Sequence, residues 1–244
     1  MYLYIFFWFF NITISSVVQF PWLPNKHILS ICINKNGHEV ANELIQSAAN
    51  SINIYISSER KDSMYIDIVE NEKLCEYTVS IESLVSNESP GYCSRDYVRN
   101  DNKYFYNGCN ITMNICQLQT AASFYNVLLH EFLHLLGLDH PIIKDDSVMS
   151  YTVKKDTLNN IVFDDTYITI QLNDIIDIHI MLVQISGNIN VPFPTILTGS
   201  VPTYNSYEHV SGVKNRMFLN RYCEIDIKPE EVDCDFLLAY WLQN

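Results

Sequence analysis

The sequence has little positive charge and nowhere collects it. Only 15 of 244 residues are Lys or Arg, against 28 Asp or Glu, for a formal net charge of −13. The longest basic run is the pair Lys154-Lys155. Nucleic acid and anionic membrane surfaces both attract proteins through basic patches, so neither is expected as a partner. No internal repeat is present, and no cysteine spacing has the form of a zinc finger. No apolar run reaches the ~20 residues that span a bilayer. Residues 2–10 are continuously apolar, but Asn11, Thr13, Ser15, Ser16 and Gln19 break the run before it reaches that length. The remainder is globular in composition, with 48% hydrophobic and 18% charged residues.

The N-terminal run and the small residues after it read as a signal peptide over residues 1–16, with Thr13-x-Ser15 as a small-x-small cleavage zone. A retained N-terminal membrane anchor is the rival, since no positive charge precedes the run. Seven cysteines (32, 75, 93, 109, 116, 223 and 234) suit an oxidising compartment, and the odd number leaves at least one outside any internal pair. Cys32 is the expected free one, because Ile28 to Ile33 reads as a buried strand where cysteine packs as a small hydrophobe. Cys223 and Cys234 are candidates to pair with each other. Asn87-Glu-Ser and Asn110-Ile-Thr are glycosylation sequons, consistent with secretion.

The chemistry lies in His130-Glu131-Phe132-Leu133-His134-Leu135-Leu136-Gly137-Leu138-Asp139-His140, which has the form H-E-x-x-H-x-x-G-x-x-H. Thr120 to Leu136 lacks Gly and Pro and reads as a helix. Residues four apart share a helix face, so His130 and His134 can grip one metal ion. Glu131 is placed to reach a water at the metal rather than the metal itself. Gly137 can take the left-handed conformation that ends a helix, after which His140 can return as third ligand. Three neutral imidazoles with one position open describe a catalytic zinc site, because a structural site fills all four positions. Ser147-Val148-Met149-Ser150-Tyr151 comes shortly after, a tight turn carrying a methionine. A core helix whose histidines merely pack would explain neither the five fixed positions nor the turn.

At these residues the chain resembles the metzincin zinc proteases, and among them the matrixins most. The run HEF.H.LGLDH and the short gap from His140 to Met149 are matrixin-like. The turn SVMSY looks more like serralysins and astacins, where a Tyr two after the Met binds zinc or stabilises the transition state; Tyr151 holds that position. Trp22 to Asn34 looks like a Trp-led first strand, and Gln171 to Leu182 like the last helix of a matrixin domain. Several matrixin features are missing. There is no Pro-Arg-Cys-Gly-x-Pro-Asp latency motif and no His between 39 and 129 for a structural zinc, and Gly- and Asp-rich calcium loops are absent. Leu133 stands where matrixins usually have Gly. The resemblance implies the fold and the reaction type; subfamily, calcium and latency stay open.

The expected architecture is α+β and metzincin-like. It has a twisted, mostly parallel sheet with one antiparallel edge strand, a backing helix, the active-site helix, and a small subdomain after His140. Helices are expected at 39–55, 120–136 and 168–183, and strands at 28–33, 64–69 and 76–81. Residues 83–103 are polar, with Ser-Pro-Gly, and read as loop. Residues 103–117 read as two short strands around an Asn107-Gly108 turn, supplying the edge to which a peptide docks by strand addition. The catalytic domain is expected over 17–186. A C-terminal extension over 187–244 is expected to carry a short helix at 229–242, packed back on the core, with partner docking as the alternative.

These readings imply a secreted zinc endopeptidase holding one catalytic Zn²⁺ on His130, His134 and His140. Glu131 is the general base, Tyr151 a candidate oxyanion stabiliser, Met149 a shaping residue, and Val153 the sign of an apolar side-chain pocket. The substrate would be a protein or peptide. A non-catalytic zinc-containing binding protein and a metal-dependent amidase stay open as alternatives.

Overall fold

The computed structural model describes residues 22, 28–38, 40–56, 64–70, 73–84, 89–118, 120–141, 146–152 and 166–186. The expected signal peptide, Val153, the Asn87 sequon, the Cys223–Cys234 pair and the 229–242 helix lie outside them. The described elements run β1 (Ile28–Asn34), α1 (Asn42–Ile56), β2 (Tyr65–Ile68), β3 (Tyr77–Glu82), β4 (Gly91–Asn100), β5 (Lys103–Asn114), α2 (Ala121–Leu135) and α3 (Leu172–Ser186). The class is α+β, with one five-stranded sheet in the order β2-β1-β3-β5-β4. β1 pairs in parallel with β2 and β3, and β3 with β5. Only β4 runs antiparallel to its neighbour β5.

The apolar alternation of the strands sets one layer against the other. Leu29, Ile31, Val79, Ile81, Ile111 and Met113 are buried beneath the helices. From the helix side, Leu44, Ala48 and Ile52 of α1, four residues apart, and Leu128 and Phe132 of α2 join the same core. Asn53 is buried in α1, yet both faces of its amide are used. It donates to Ile66 O at 2.8 Å and accepts from Ile66 N at 2.9 Å, fastening α1 to β2. Trp22 stands apart from β1. It bridges in parallel to Tyr106 and donates its indole N–H to Leu136 O at 2.7 Å, closing the end of α2.

The structure corrects the expectation for 83–117. Residues 91–100, expected as loop, form β4, and 103–114 is one continuous strand rather than two. The hairpin turn is Asp101-Asn102, where both residues have positive φ (46° and 64°). The edge strand is therefore β4, and β5 lies inside the sheet. Asn107-Gly108 marks a bulge. Arg95 pairs with Cys109 and Tyr97 with Tyr106, so two residues of β5 oppose the single Asp96. Gly108 has φ +87°, and a Cβ there would lie 2.5 Å from the Tyr77 ring. Tyr77 OH donates to Asn107 O at 2.7 Å, and Asn107 Nδ2 to Asp96 at 2.8 Å.

Cys32 is not free: it pairs with Cys75, 43 residues away. The chain entering β3 runs back along β1, with Glu76 N bonded to Ser30 O at 2.9 Å, which carries Cys75 to Cys32. A second disulfide, Cys93–Cys109, staples β4 to β5. Two disulfides indicate an oxidising environment. Among the described residues no helix is long and apolar enough to cross a membrane. The last helix starts at 172 rather than 168. Asp174, in its first turn, receives the Gln171 N–H at 2.9 Å, while the Gln171 side chain donates to Thr169.

Candidate metal centre

Helix α2 opens on Thr120, whose hydroxyl oxygen accepts the Ser123 N–H at 3.0 Å. It closes on Gly137 with φ +94°. Gly137 N bonds His134 O at 2.8 Å and Leu138 N bonds Leu133 O at 3.0 Å, the two bonds of a Schellman ending. This ending has a second use. It turns Leu138 O toward the helix, where it lies 2.8 Å from His134 Nδ1. His130 Nδ1 likewise lies 2.9 Å from Val148 O, in the tight 3-10 turn Val148–Ser150 that carries the buried Met149.

A backbone carbonyl can only accept, so each of these Nδ1 atoms carries the proton and each Nε2 presents a lone pair. The lone pairs converge on the third histidine: His130 Nε2 and His134 Nε2 lie 3.0 and 3.2 Å from His140 Nε2. One proton on His140 could satisfy only one of them. A cation satisfies all three, and tetrahedral zinc with bonds of ~2.0–2.1 Å needs N···N separations of about 3.3 Å. Burial, the mutual repulsion of the rings and, at His134 alone, the charge of Arg95 keep the imidazoles neutral. Burial comes first, and lowers the pKa of His130 to about 4 and that of His134 to about 3. Arg95 Nη2, 3.3 Å from His134 Nδ1, is itself only a donor, and its charge further disfavours an imidazolium at His134. The three histidines can therefore hold a metal ion.

Glu131 lies beside them and is almost wholly buried. Its Oε2 has no hydrogen-bond partner among the described residues. An orphaned carboxylate oxygen is costly unless a further group meets it, and a water at a metal on the three histidines is such a group. Burial pushes the Glu131 pKa up to about 8, with the Arg95 charge pulling the other way. The donor set and the orphaned oxygen thus fit a metal carrying a water.

The site opens into a cleft of about 610 Å³. Val127, His130 and Glu131 line it from α2, Gly91 and Arg95 from β4, and Tyr151 from the Met149 turn. The approach of β4 to α2 depends on Gly91, where a Cβ would lie 2.6 Å from Val127 Cγ1 and 3.0 Å from Glu131 Oε1. The structure thus brings together His130, His134, His140, Glu131 and Tyr151, with Gly137 and Met149 shaping the backbone around them.

Four contributors escape a motif reading. Gly91 and Arg95 sit in the segment read as loop. The β-forming residues Tyr92, Tyr97 and Val98 and the Asp101-Asn102 pair were the available signals for that strand. Asp174 accepts the Val148 N–H from α3 at 3.0 Å. Asn126, fully buried in α2, donates to Thr166 O at 2.8 Å and accepts from Ile168 N at 2.8 Å, pinning the returning chain to the helix. No protein-family model and no curated protein matches this chain.

Proposed function

We propose that the protein is a zinc-dependent endopeptidase acting in an oxidising, extracellular setting. One observation carries the reading: a buried carboxylate with an unmatched oxygen stands beside three converging imidazole lone pairs, in a cleft walled by the edge strand β4. A metal-binding module needs the imidazoles but has no use for an unmet carboxylate. Bound there, zinc supplies a Lewis acid that brings water toward ionisation near neutral pH and polarises a carbonyl.

The chain's own residues account for the rest. Glu131 takes the proton of the attacking water on Oε2 and delivers it to the leaving amine. Burial raises the carboxyl pKa and a cation on the histidines draws it back down, and these opposed effects suit one group to both taking and giving a proton near neutrality. Strand β4 is the outermost strand on its side of the sheet among the described residues, so an extended peptide can add to it as a further antiparallel strand. Tyr151, at the cleft wall, is the residue offered to the developing oxyanion. Burial of Val127 and Glu131 keeps bulk water from competing for the carboxylate.

The test is hydrolysis of unfolded casein by purified protein, with and without a chelator, beside Glu131→Gln. Zinc should be retained by the variant, and proteolysis should fall ~10²–10⁴-fold, the range for a positioned acid–base group. Equal rates in parent and variant would remove Glu131 as the base. Metal binding with no hydrolysis of any peptide by the parent would leave a binding protein.

A further inference from the structure

His140 differs from the other two histidines in how it is held. His130 and His134 are buried and each donates Nδ1–H to a backbone carbonyl. His140 is exposed, on the chain beyond the helix end, and no carbonyl receives its ring among the described residues. Its backbone is held instead. The His140 N–H donates to Asp139 Oδ1 at 2.9 Å. That same oxygen accepts from Arg95 Nη2 at 3.1 Å, and Arg95 Nη1 reaches Asp139 Oδ2 at 3.5 Å. Arg95 is in turn fixed by the fold, since the bulge at Asp96 begins immediately after it and the Cys93–Cys109 disulfide lies just before it.

We propose that Arg95 and Asp139 form a positioning clamp, running from the sheet edge to the backbone of His140, that preorganises the third metal ligand. The proposal rests on the metal-centre reading. A two-pronged guanidinium–carboxylate contact fixes direction as well as distance. Without it, an exposed histidine on a post-helical segment must be ordered by the metal itself, at a cost in affinity. Outer partners of metal-bound histidines contribute about 10–100-fold in metal affinity. The clamp also joins the two walls of the cleft, so the strand that would dock a peptide and the loop that carries the third ligand move together.

The sign of the effect separates this role from simple electrostatics. Arg95 lies 3.3 Å from the His134 ring, so its charge by itself opposes a bound cation. If charge were its only influence, Arg95→Ala would bind zinc more tightly. The clamp requires weaker binding.

The experiment is titration of the metal-stripped full-length protein with Zn²⁺ against a chromophoric competing chelator, for parent, Arg95→Ala, Asp139→Ala, His140→Ala and Arg95→Ala/His140→Ala. Arg95→Ala and Asp139→Ala should each raise the zinc dissociation constant about 10–100-fold, with the circular dichroism and melting of the metal-free protein unchanged. In the His140→Ala background, Arg95→Ala should bring no further loss, because the clamp acts through that residue alone. Arg95→Lys, which keeps the opposing charge but cannot make the two-pronged contact, should bind zinc at least as weakly as Arg95→Ala, and decides the matter if Arg95→Ala fails to fold. Unchanged or tighter zinc binding in the folded Arg95 variants overturns the clamp, as does an equal loss with and without His140. A parent that binds no zinc at all overturns the metal centre, a result distinguishable from the variants because it appears in the parent titration.

Discussion

Both carboxylate oxygens of Asp174 lie 3.0 Å from the backbone nitrogen of Val148, whose carbonyl oxygen faces His130 Nδ1 at 2.9 Å. One residue of the Met149 turn is thus held on its N–H side by α3 and holds a candidate ligand on its C=O side. Asp174 is fully buried and also receives the Gln171 N–H. Asp174→Ala leaves the Val148 and Gln171 N–H groups unmatched, together with the longer Met149 N–H contact at 3.5 Å, and an unsatisfied buried donor costs about 1–3 kcal/mol. The variant is expected to lose about 2–4 kcal/mol in urea denaturation and to bind zinc more weakly. Parent-like stability would mean that water replaces the carboxylate.

Gly91 sets the width of the cleft. A Cβ at this position would meet Val127 Cγ1 at 2.6 Å, on a branched side chain that has little rotamer freedom in a helix. Gly91→Ala is therefore expected to push β4 from α2 and displace Glu131. Zinc affinity should hold within a few fold while casein hydrolysis falls on the order of tenfold or more, as misplaced reacting groups imply. Parent-like hydrolysis would show that the cleft accommodates the methyl group.

Helix α2 and the candidate metal ligands were legible because local pattern fixed them. Thr120, the run without Gly or Pro, and Gly137 bound α2 within a residue at each end, and helical spacing put His130 and His134 on one face. The edge strand was not legible, because its side chains answer to tertiary partners. Gly91 is there for its approach to Val127, and Arg95 for Asp139, 44 residues on. Asn107-Gly108 has the composition of a turn but serves a bulge, since the Tyr77 ring occupies the place of a side chain at 108. Cys32 reads as a buried hydrophobe, and its pairing with Cys75 comes only from the parallel return of the chain into β3. Asp174 lies outside every motif, because what it supports is the backbone of another segment.

The two disulfides should differ in worth. Cross-linking restricts the unfolded chain more as the closed loop lengthens. The bridges close separations of 43 residues for Cys32–Cys75 and 16 for Cys93–Cys109. By chain entropy these correspond to about 4 and about 3 kcal/mol. Replacing each pair by serines should lower the thermal midpoint more for the first. Only Cys93–Cys109 borders the cleft, so its loss is expected to weaken proteolysis as well, while loss of Cys32–Cys75 leaves the rate of the folded fraction unchanged. The reverse pattern would argue against β4 as the substrate-docking strand.

The last expectation concerns the metal-free protein and its pH dependence. Burial raises the Glu131 pKa from an ordinary 4.5 to about 8 in the folded state. Unfolded chains ionise this group above 4.5, whereas the folded protein must keep it protonated. Its contribution to stability is complete below 4.5 and is lost as pH rises through about 8. The histidines act on the other side. His130 and His134 are depressed from 6.5 to about 4 and about 3, so their contribution is present above 6.5 and lost as pH falls below it. From pH 6.5 to 8 the carboxylate therefore dominates the site's contribution. At 1.36 kcal/mol per pH unit, the chelated parent is expected to lose about 2 kcal/mol over that window, relative to Glu131→Gln, which has no proton to lose. Urea denaturation of both proteins in chelator, at the two ends of the window, measures the difference directly. Parallel curves would mean that Glu131 is already ionised when folded, with water supplying the partner that its Oε2 lacks among the described residues.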